Sequence, residues 1–82
     1  MEKEIKIAAK LYLCRDTAKR YFGSEYEDTI LPCKRLITER QKVTNKPVLE
    51  VLIECLQLKS VQDNAMAMMM FNAAAIEIIE SK

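Results

Sequence analysis

The sequence predicts an all-α fold, a compact bundle of three to four helices that forms one domain over residues 1–82. The chain has one glycine and two prolines, too few for the turns of a fold built from β-hairpins. Half of its residues are hydrophobic, and Ala, Leu, Ile and Met, most of which favour helices, supply much of this half. Apolar residues also recur at the spacing of one helix face along most of the chain.

The first predicted helix covers about residues 2–22. One apolar stripe at helical spacing runs along it, formed by Ile7, Leu11, Cys14, Ala18 and Phe22. Gly23 follows at the position where a left-handed residue commonly ends a helix, because glycine adopts a positive φ without steric cost.

The second predicted helix starts at Ser24, because Ser24 and Glu27 have the spacing of a capping box. One face of it contains Tyr26, Ile30, Cys33, Ile37 and Arg40. Pro32 leaves two alternatives, one kinked helix or a short turn that ends near Thr29 before a new helix begins. We favour the kinked helix because the stripe keeps its phase across the proline.

Residues 43–46 form the clearest predicted loop. Asn45 suits the cap of the following helix, and Pro47 suits its first turn. The chain from residue 48 to residue 82 lacks Gly and Pro, so one helix of about 35 residues or two helices in an antiparallel pair fit the pattern. Ser60 and Asp63 have capping spacing, and we favour a break at Ser60.

The last predicted helix, about residues 60–80, is apolar around most of its circumference. Its polar residues Gln62, Asp63, Glu77 and Glu80 share one arc and leave two apolar seams. Two seams fit a helix that packs on its own subunit and on a neighbour, so we predict a homo-oligomer. The alternative is a central core helix covered by the other helices. The predicted oligomer interface consists of Ala67, Met68, Phe71, Asn72, Ala75 and Ile79.

Asn72 lies in the middle of the apolar arc of this helix. A buried amide without a partner costs about 1–3 kcal/mol. We therefore expect Asn72 to bond another Asn across a symmetry axis, a backbone group or a ligand. We favour the first, because a single buried Asn is known to fix the register of helical assemblies.

Positive charge is concentrated in the first half of the chain. Residues 1–46 contain eleven Lys or Arg and seven Asp or Glu, a net charge of +4, whereas residues 47–82 contain two Lys and five acids, a net charge of −3. Such a field attracts anions mildly and is weaker than that of a dedicated DNA-binding protein. A second basic cluster is spread around its helix: Lys34, Arg35, Arg40 and Lys42. Nucleic acid is therefore disfavoured as a partner.

We predict no enzymatic activity, no cofactor and no metal. The chain has no histidine, and its one glycine excludes a glycine-rich phosphate loop. Cys14, Cys33 and Cys55 are widely spaced on apolar stripes, which fits core packing in a reducing cytoplasm. The longest apolar run is too short to span a bilayer, and the charged N-terminus does not resemble a signal peptide, so we expect a cytoplasmic protein without a membrane partner.

The best candidate ligand site lies on the first helix. Tyr12, Arg15 and Lys19 are spaced so that they share one strip of its surface. A guanidinium and an ammonium bind phosphates, and a tyrosine ring stacks on a base. The alternative is that these side chains are ordinary surface groups with solvated tips.

The segment Ala67-Met68-Met69-Met70-Phe71-Asn72-Ala73-Ala74 resembles the C-terminal helix of a phage hairpin domain. This domain occurs in small cyclic-nucleotide sponges that phages use against CBASS and Thoeris immunity. The family's acidic residues before the run are replaced here by Ala65 and Met66. The resemblance implies a compact helical homo-oligomer, often a hexamer, that sequesters cyclic di- or trinucleotides between subunits without cleaving them.

The leading hypothesis is therefore a non-enzymatic helical oligomer that binds and sequesters an anionic ligand, in its sharpest version a cyclic nucleotide, as a phage-type anti-defence protein. The alternative is a protein-interaction module that inhibits a host protein complex. A small DNA-binding regulator is a third and weaker hypothesis.

Overall fold

A computed structural model describes the backbone of residues 2–81 and the side chains of residues 9–81. The described chain folds into four main helices and one short helix: α1 (Glu2–Phe22), α2 (Tyr26–Thr44), α3 (Val48–Leu56), the one-turn α4 (Lys59–Gln62) and α5 (Ala65–Glu80). The radius of gyration is 12.0 Å, as expected for one compact domain of this length, about 12 Å. The predicted all-α fold is confirmed.

Helix α1 buries the stripe that the sequence predicts. Leu11 and Ala18 are buried, and Cys14 and Phe22 are half-buried, whereas the side chain of Ile7 lies outside the described residues. Gly23 has a φ of +57°, so the predicted left-handed end of the helix is confirmed.

Helix α2 begins without the capping box that Ser24 and Glu27 predict. Residues Gly23–Glu25 form a turn of 3-10 helix, and α2 follows it with Glu25 at the N-cap position and no side-chain cap. Glu25 has helix-like φ and ψ of −89° and 0°, not the extended backbone of a capping residue. The short turn thus connects α1 directly to α2 and leaves no place for the predicted cap.

Pro32 lies inside α2, which continues through it to Thr44. The preference for a single helix is therefore confirmed. Pro32 itself is exposed, so the carbonyl group that loses its hydrogen bond at this turn is on the solvent side. The buried side chains of α2 are those of the predicted face: Tyr26, Ile30, Cys33 and Ile37.

Asn45 ends α2 and does not cap α3 as predicted. Its φ of 55° is left-handed, and its backbone N–H donates to the carbonyl oxygen of Gln41 at 2.7 Å. Asparagine tolerates this conformation better than most residues. The N-cap position of α3 is taken by the extended Pro47, two residues after the predicted cap.

The predicted break in the second half exists, but it does not lie at Ser60. Helix α3 ends at Leu56, Ser60 lies inside α4, and the last helix begins only after Asn64. Asn64 has extended backbone, and its side chain accepts a hydrogen bond from the N–H of Ala67 at 3.2 Å. Asparagine is among the strongest N-caps, so Asn64 fixes the start of α5.

Helix α5 is the centre of the fold. It packs on α1, α2, α3 and α4, and every residue from 71 to 76 is buried. Three consecutive alanines, at 73–75, allow the neighbouring helices to approach it closely. Most of both apolar seams is covered within one chain, as in the alternative of a central core helix, and the apolar character of α5 alone no longer argues for an oligomer.

The outer layer around α5 is not closed. Helix α2 packs on both α1 and α3, but α1 and α3 do not pack on each other anywhere in the described part of the chain. A groove therefore runs over α5 between these two helices, which we call the α1–α3 groove.

Among residues 2–81, none of the helices combines the length and the apolar character needed to cross a bilayer.

Candidate functional site

Two places in the fold contain the candidate ligand residues of α1 and the buried Asn72 of α5. One is a polar cluster where α1 meets the last turns of α5. The other is the α1–α3 groove. The first contains the residues that the sequence singles out on α1, and the second contains Asn72.

The polar cluster joins α1 to the end of α5. Arg15 is hydrogen-bonded through Nη1 to Oε1 of Glu80, and the same nitrogen lies 3.7 Å from Oε1 of Glu77. The hydroxyl of Tyr12 donates to Oε2 of Glu80 at 3.5 Å, and the guanidinium of Arg15 lies 5.0 Å from the centre of the Tyr12 ring. Arg15 thus has two carboxylates and one aromatic face as partners.

Lys19 and Tyr26 extend this cluster toward α2. The ammonium of Lys19 lies 5.6 Å from the centre of the Tyr26 ring, and the Tyr26 hydroxyl donates to Oε1 of Glu77 at 3.2 Å. Burial of the ring and the neighbouring Glu77 carboxylate raise the pKa of Tyr26 above its ordinary value. This hydroxyl therefore remains a hydrogen-bond donor across the neutral pH range.

The structure brings Tyr12, Arg15 and Lys19 to one side of α1, as the sequence predicts. It also places Glu77 and Glu80 beside Arg15, whereas the sequence predicts for them only a polar arc of the last helix. The formal charges of Arg15 and Lys19 equal those of Glu77 and Glu80, so the cluster has no net charge. A phosphate would therefore have to displace Glu80, whose side chain is 42% exposed. Nε of Arg15 is buried and has no hydrogen-bond partner among the described residues.

The α1–α3 groove is mostly apolar and has a volume of about 130 Å³. Leucine and isoleucine side chains form its walls, and Asn72 of α5 contributes an amide. The described lining residues are Lys10, Leu11, Leu49, Leu52, Ile53, Leu56 and Asn72. The apolar face of α3 supplies four of them, because the positions at 49, 52, 53 and 56 share one side of that helix.

Asn72 is 3% exposed and lies at the floor of the groove. Its Nδ2 donates to Sγ of Cys14 at 3.6 Å, a partner that the sequence analysis did not foresee. Thiol sulfur is a weak acceptor, so this hydrogen bond offsets only part of the cost of burying the amide. Within residues 9–81, Oδ1 of Asn72 accepts no hydrogen bond. At the base of an apolar recess, the amide oxygen of Asn72 therefore has no donor from the described side chains and backbone.

The residues of the predicted oligomer interface differ in their exposure to solvent. Phe71, Asn72 and Ala75 are buried inside their own chain, so they do not present a surface to a second copy in this fold. Ala67 and Met68 are half-buried. Ile79 is exposed, in a shallow cleft that it lines together with Gln41, Pro47, Val48 and Leu49.

The groove itself is not predicted by the sequence. The apolar face of α3 and the isolated Asn72 are both visible in the sequence. They line one groove only because α1 and α3 do not pack on each other, and local sequence patterns do not predict how helices pack. A search of protein-family models, of curated proteins and of solved structures found nothing that matches this chain.

Proposed function

We propose that this protein is a non-enzymatic binding protein that holds a small, mainly apolar ligand in the α1–α3 groove. The observation that carries the proposal is the position of Asn72, which lies at the floor of an apolar recess and whose Oδ1 accepts no hydrogen bond within residues 9–81. Ligand sites in proteins are typically concave and apolar, with a few polar groups that orient the ligand. The α1–α3 groove has this composition.

The chemistry of the remaining residues supports binding without catalysis. The chain has no histidine. Burial, with a smaller effect of Cys55, raises the pKa of the Cys33 thiol to about 11, and burial also raises that of Cys55. Thiols with such pKa values hold little thiolate at neutral pH and are poor nucleophiles.

The test is a titration of ¹⁵N-labelled protein with small uncharged apolar compounds, with benzene as the reference. We expect saturable shifts of backbone amides in α3 and around Asn72. Leu56→Trp places a large side chain in the groove and should abolish these shifts, whereas Leu36→Trp, an exposed position on α2 outside the groove, should not. No saturable shift at the groove with any compound would overturn the proposal.

A second candidate is the binding of an anionic ligand, such as a cyclic nucleotide, by Tyr12, Arg15 and Lys19. The observation that favours it is the buried Nε of Arg15, a charged donor without a partner among the described residues. The carboxylate of Glu80 competes for the same guanidinium. Isothermal titration with cyclic di- and trinucleotides should then give tighter binding to Glu80→Gln than to the unmodified protein. No heat with either protein would exclude this candidate.

We further propose that the protein forms a homo-oligomer through the exposed part of α5, with Ile79 in the contact. Ile79 is 37% exposed beside an apolar cleft, although it belongs to a core helix. Light scattering at micromolar concentration should give a mass above that of one chain, and Ile79→Asp should lower it. Val43→Asp, at a position of α2 that is 86% exposed, is the matched control. A monomeric unmodified protein would contradict the proposal.

A further inference from the structure

We infer that the α1–α3 groove selects a small apolar ring that carries one hydroxyl donor, of which phenol is the simplest example. This inference rests on the proposed function, because it names the chemistry of the ligand in the same groove. Three properties of the groove lead to it: its size, its walls and the hydrogen-bonding state of Asn72.

The size of the groove fits one ring. Its volume of about 130 Å³ is close to that of engineered core cavities that admit benzene, about 150 Å³. A bicyclic or longer molecule extends beyond a recess of this volume. The part of a ligand that the groove itself recognises is therefore the size of a single six-membered ring.

The walls of the groove select against charge. Leu11, Leu49, Leu52 and Leu56 face the recess and offer no hydrogen bonds from their side chains. A charged or strongly polar group held against these leucines, away from Asn72 and Lys10, loses its hydration without a replacement partner, which is costly. The body of the ligand is therefore a hydrocarbon.

Asn72 determines which polar group the ligand carries. The Nδ2–Sγ hydrogen bond to Cys14 directs the amide nitrogen toward α1, and Oδ1 is the group that remains without a donor among the described residues. A ligand hydroxyl supplies this donor. An ether oxygen in the same place sets one acceptor against another, so a hydroxyl is favoured over a methoxy group on the same ring.

The experiment compares the dissociation constants of phenol, benzene and anisole, measured by NMR titration of the whole protein. One neutral hydrogen bond in a recess of this kind should make phenol bind about three- to tenfold more tightly than benzene. Anisole should bind no more tightly than benzene. The side-chain amide signals of Asn72 should shift with phenol and much less with the other two compounds.

Asn72→Leu removes the acceptor and keeps a side chain of similar size. In this variant phenol should lose its advantage over benzene while benzene still binds. Circular dichroism establishes whether the variant keeps its helices. If the variant does not fold, the dissociation constants of the three compounds for the unmodified protein test the inference by themselves.

Equal binding of phenol, benzene and anisole would overturn the inference while leaving the groove as a ligand site. Absence of binding by all three would overturn the proposed function as well. Tighter binding of anisole than of phenol would assign Asn72 the role of donor and would also overturn the inference.

Discussion

Arg15 in α1 and Glu80 in the last turn of α5 form a direct ion pair between residues 65 positions apart in the sequence. Negative side chains near the C-terminal end of a helix are unfavourable because they face the negative end of the helix dipole. Arg15 offsets this effect at Glu80 and Glu77 and attaches the end of α5 to α1. The guanidinium of Arg15, which the sequence suggests as part of a ligand site, therefore stabilises the tertiary structure.

Arg15→Met should destabilise the fold more than Glu80→Gln does. The Arg15 side chain is only 19% exposed and has several partners, so we expect a loss of about 1–2 kcal/mol in the free energy of unfolding. Glu80 is more exposed, and its loss should cost about 0.5 kcal/mol. Urea unfolding measures both, with Arg20→Met as the exposed control on the same helix. Equal effects of Arg15→Met and Arg20→Met would contradict the assigned role.

Asn64→Ala should lower the stability by about 1 kcal/mol, because the N–H of Ala67 loses its side-chain acceptor at the start of α5. Asn64→Asp keeps an acceptor oxygen and adds a favourable interaction with the helix dipole, so it should leave the stability unchanged or raise it slightly. The midpoint of thermal unfolding distinguishes the two variants. If alanine and aspartate proved equivalent at this position, the cap would have no energetic role.

Gly23 and Asn45 are the two described residues with a left-handed backbone. Nothing lies within 4 Å of a side chain added at Gly23, so the cost of Gly23→Ala is conformational alone, about 1 kcal/mol. Asn45→Gly should conversely leave the stability unchanged or raise it, since glycine adopts this conformation more readily. Chemical unfolding measures the stability of both variants. A stabilising effect of Gly23→Ala would show that the connection between α1 and α2 can adopt another backbone conformation.

The stability of the protein should fall as the pH rises from about 9 to about 11. Burial raises the pKa of Cys33 to about 11, whereas a thiol in the unfolded chain titrates at its ordinary value of 9.0. Below 9 both states hold the proton. Between the two values the unfolded state loses it first, so alkali favours unfolding. Urea unfolding under reducing conditions measures the free energy of unfolding at each pH, and this should fall less steeply for Cys33→Ala than for the unmodified protein. Identical slopes for the two proteins would refute the linkage.

Local patterns in the sequence predicted the helices and their buried faces well. The face of Tyr26, Ile30, Cys33 and Ile37 is buried as predicted, and α2 continues through Pro32 because the phase of that face is kept. Gly23 ends α1 as its conformational freedom suggests. These features depend on residues a few positions apart.

Features that depend on distant residues were predicted less well. The apolar surface of α5 fitted both a subunit interface and a central core, and the arrangement of α1, α2 and α3 around it is what covers Phe71 and Ala75. The predicted start of the last helix was also wrong, because Ser60 was chosen as its capping residue and Asn64 is the residue that caps α5. The pairing of Arg15 with Glu80 likewise required knowledge of which helices meet.

The central position of α5 has a consequence for the synthesis of the protein. Helices α1, α2 and α3 precede α5 in the chain, but each of them buries much of its apolar face against it. Until residues 71–78 have left the ribosome, the nascent chain lacks the surface on which those faces pack. We therefore expect folding to be completed late, after translation of α5, and the preceding segment to expose apolar side chains to chaperones and proteases in the meantime.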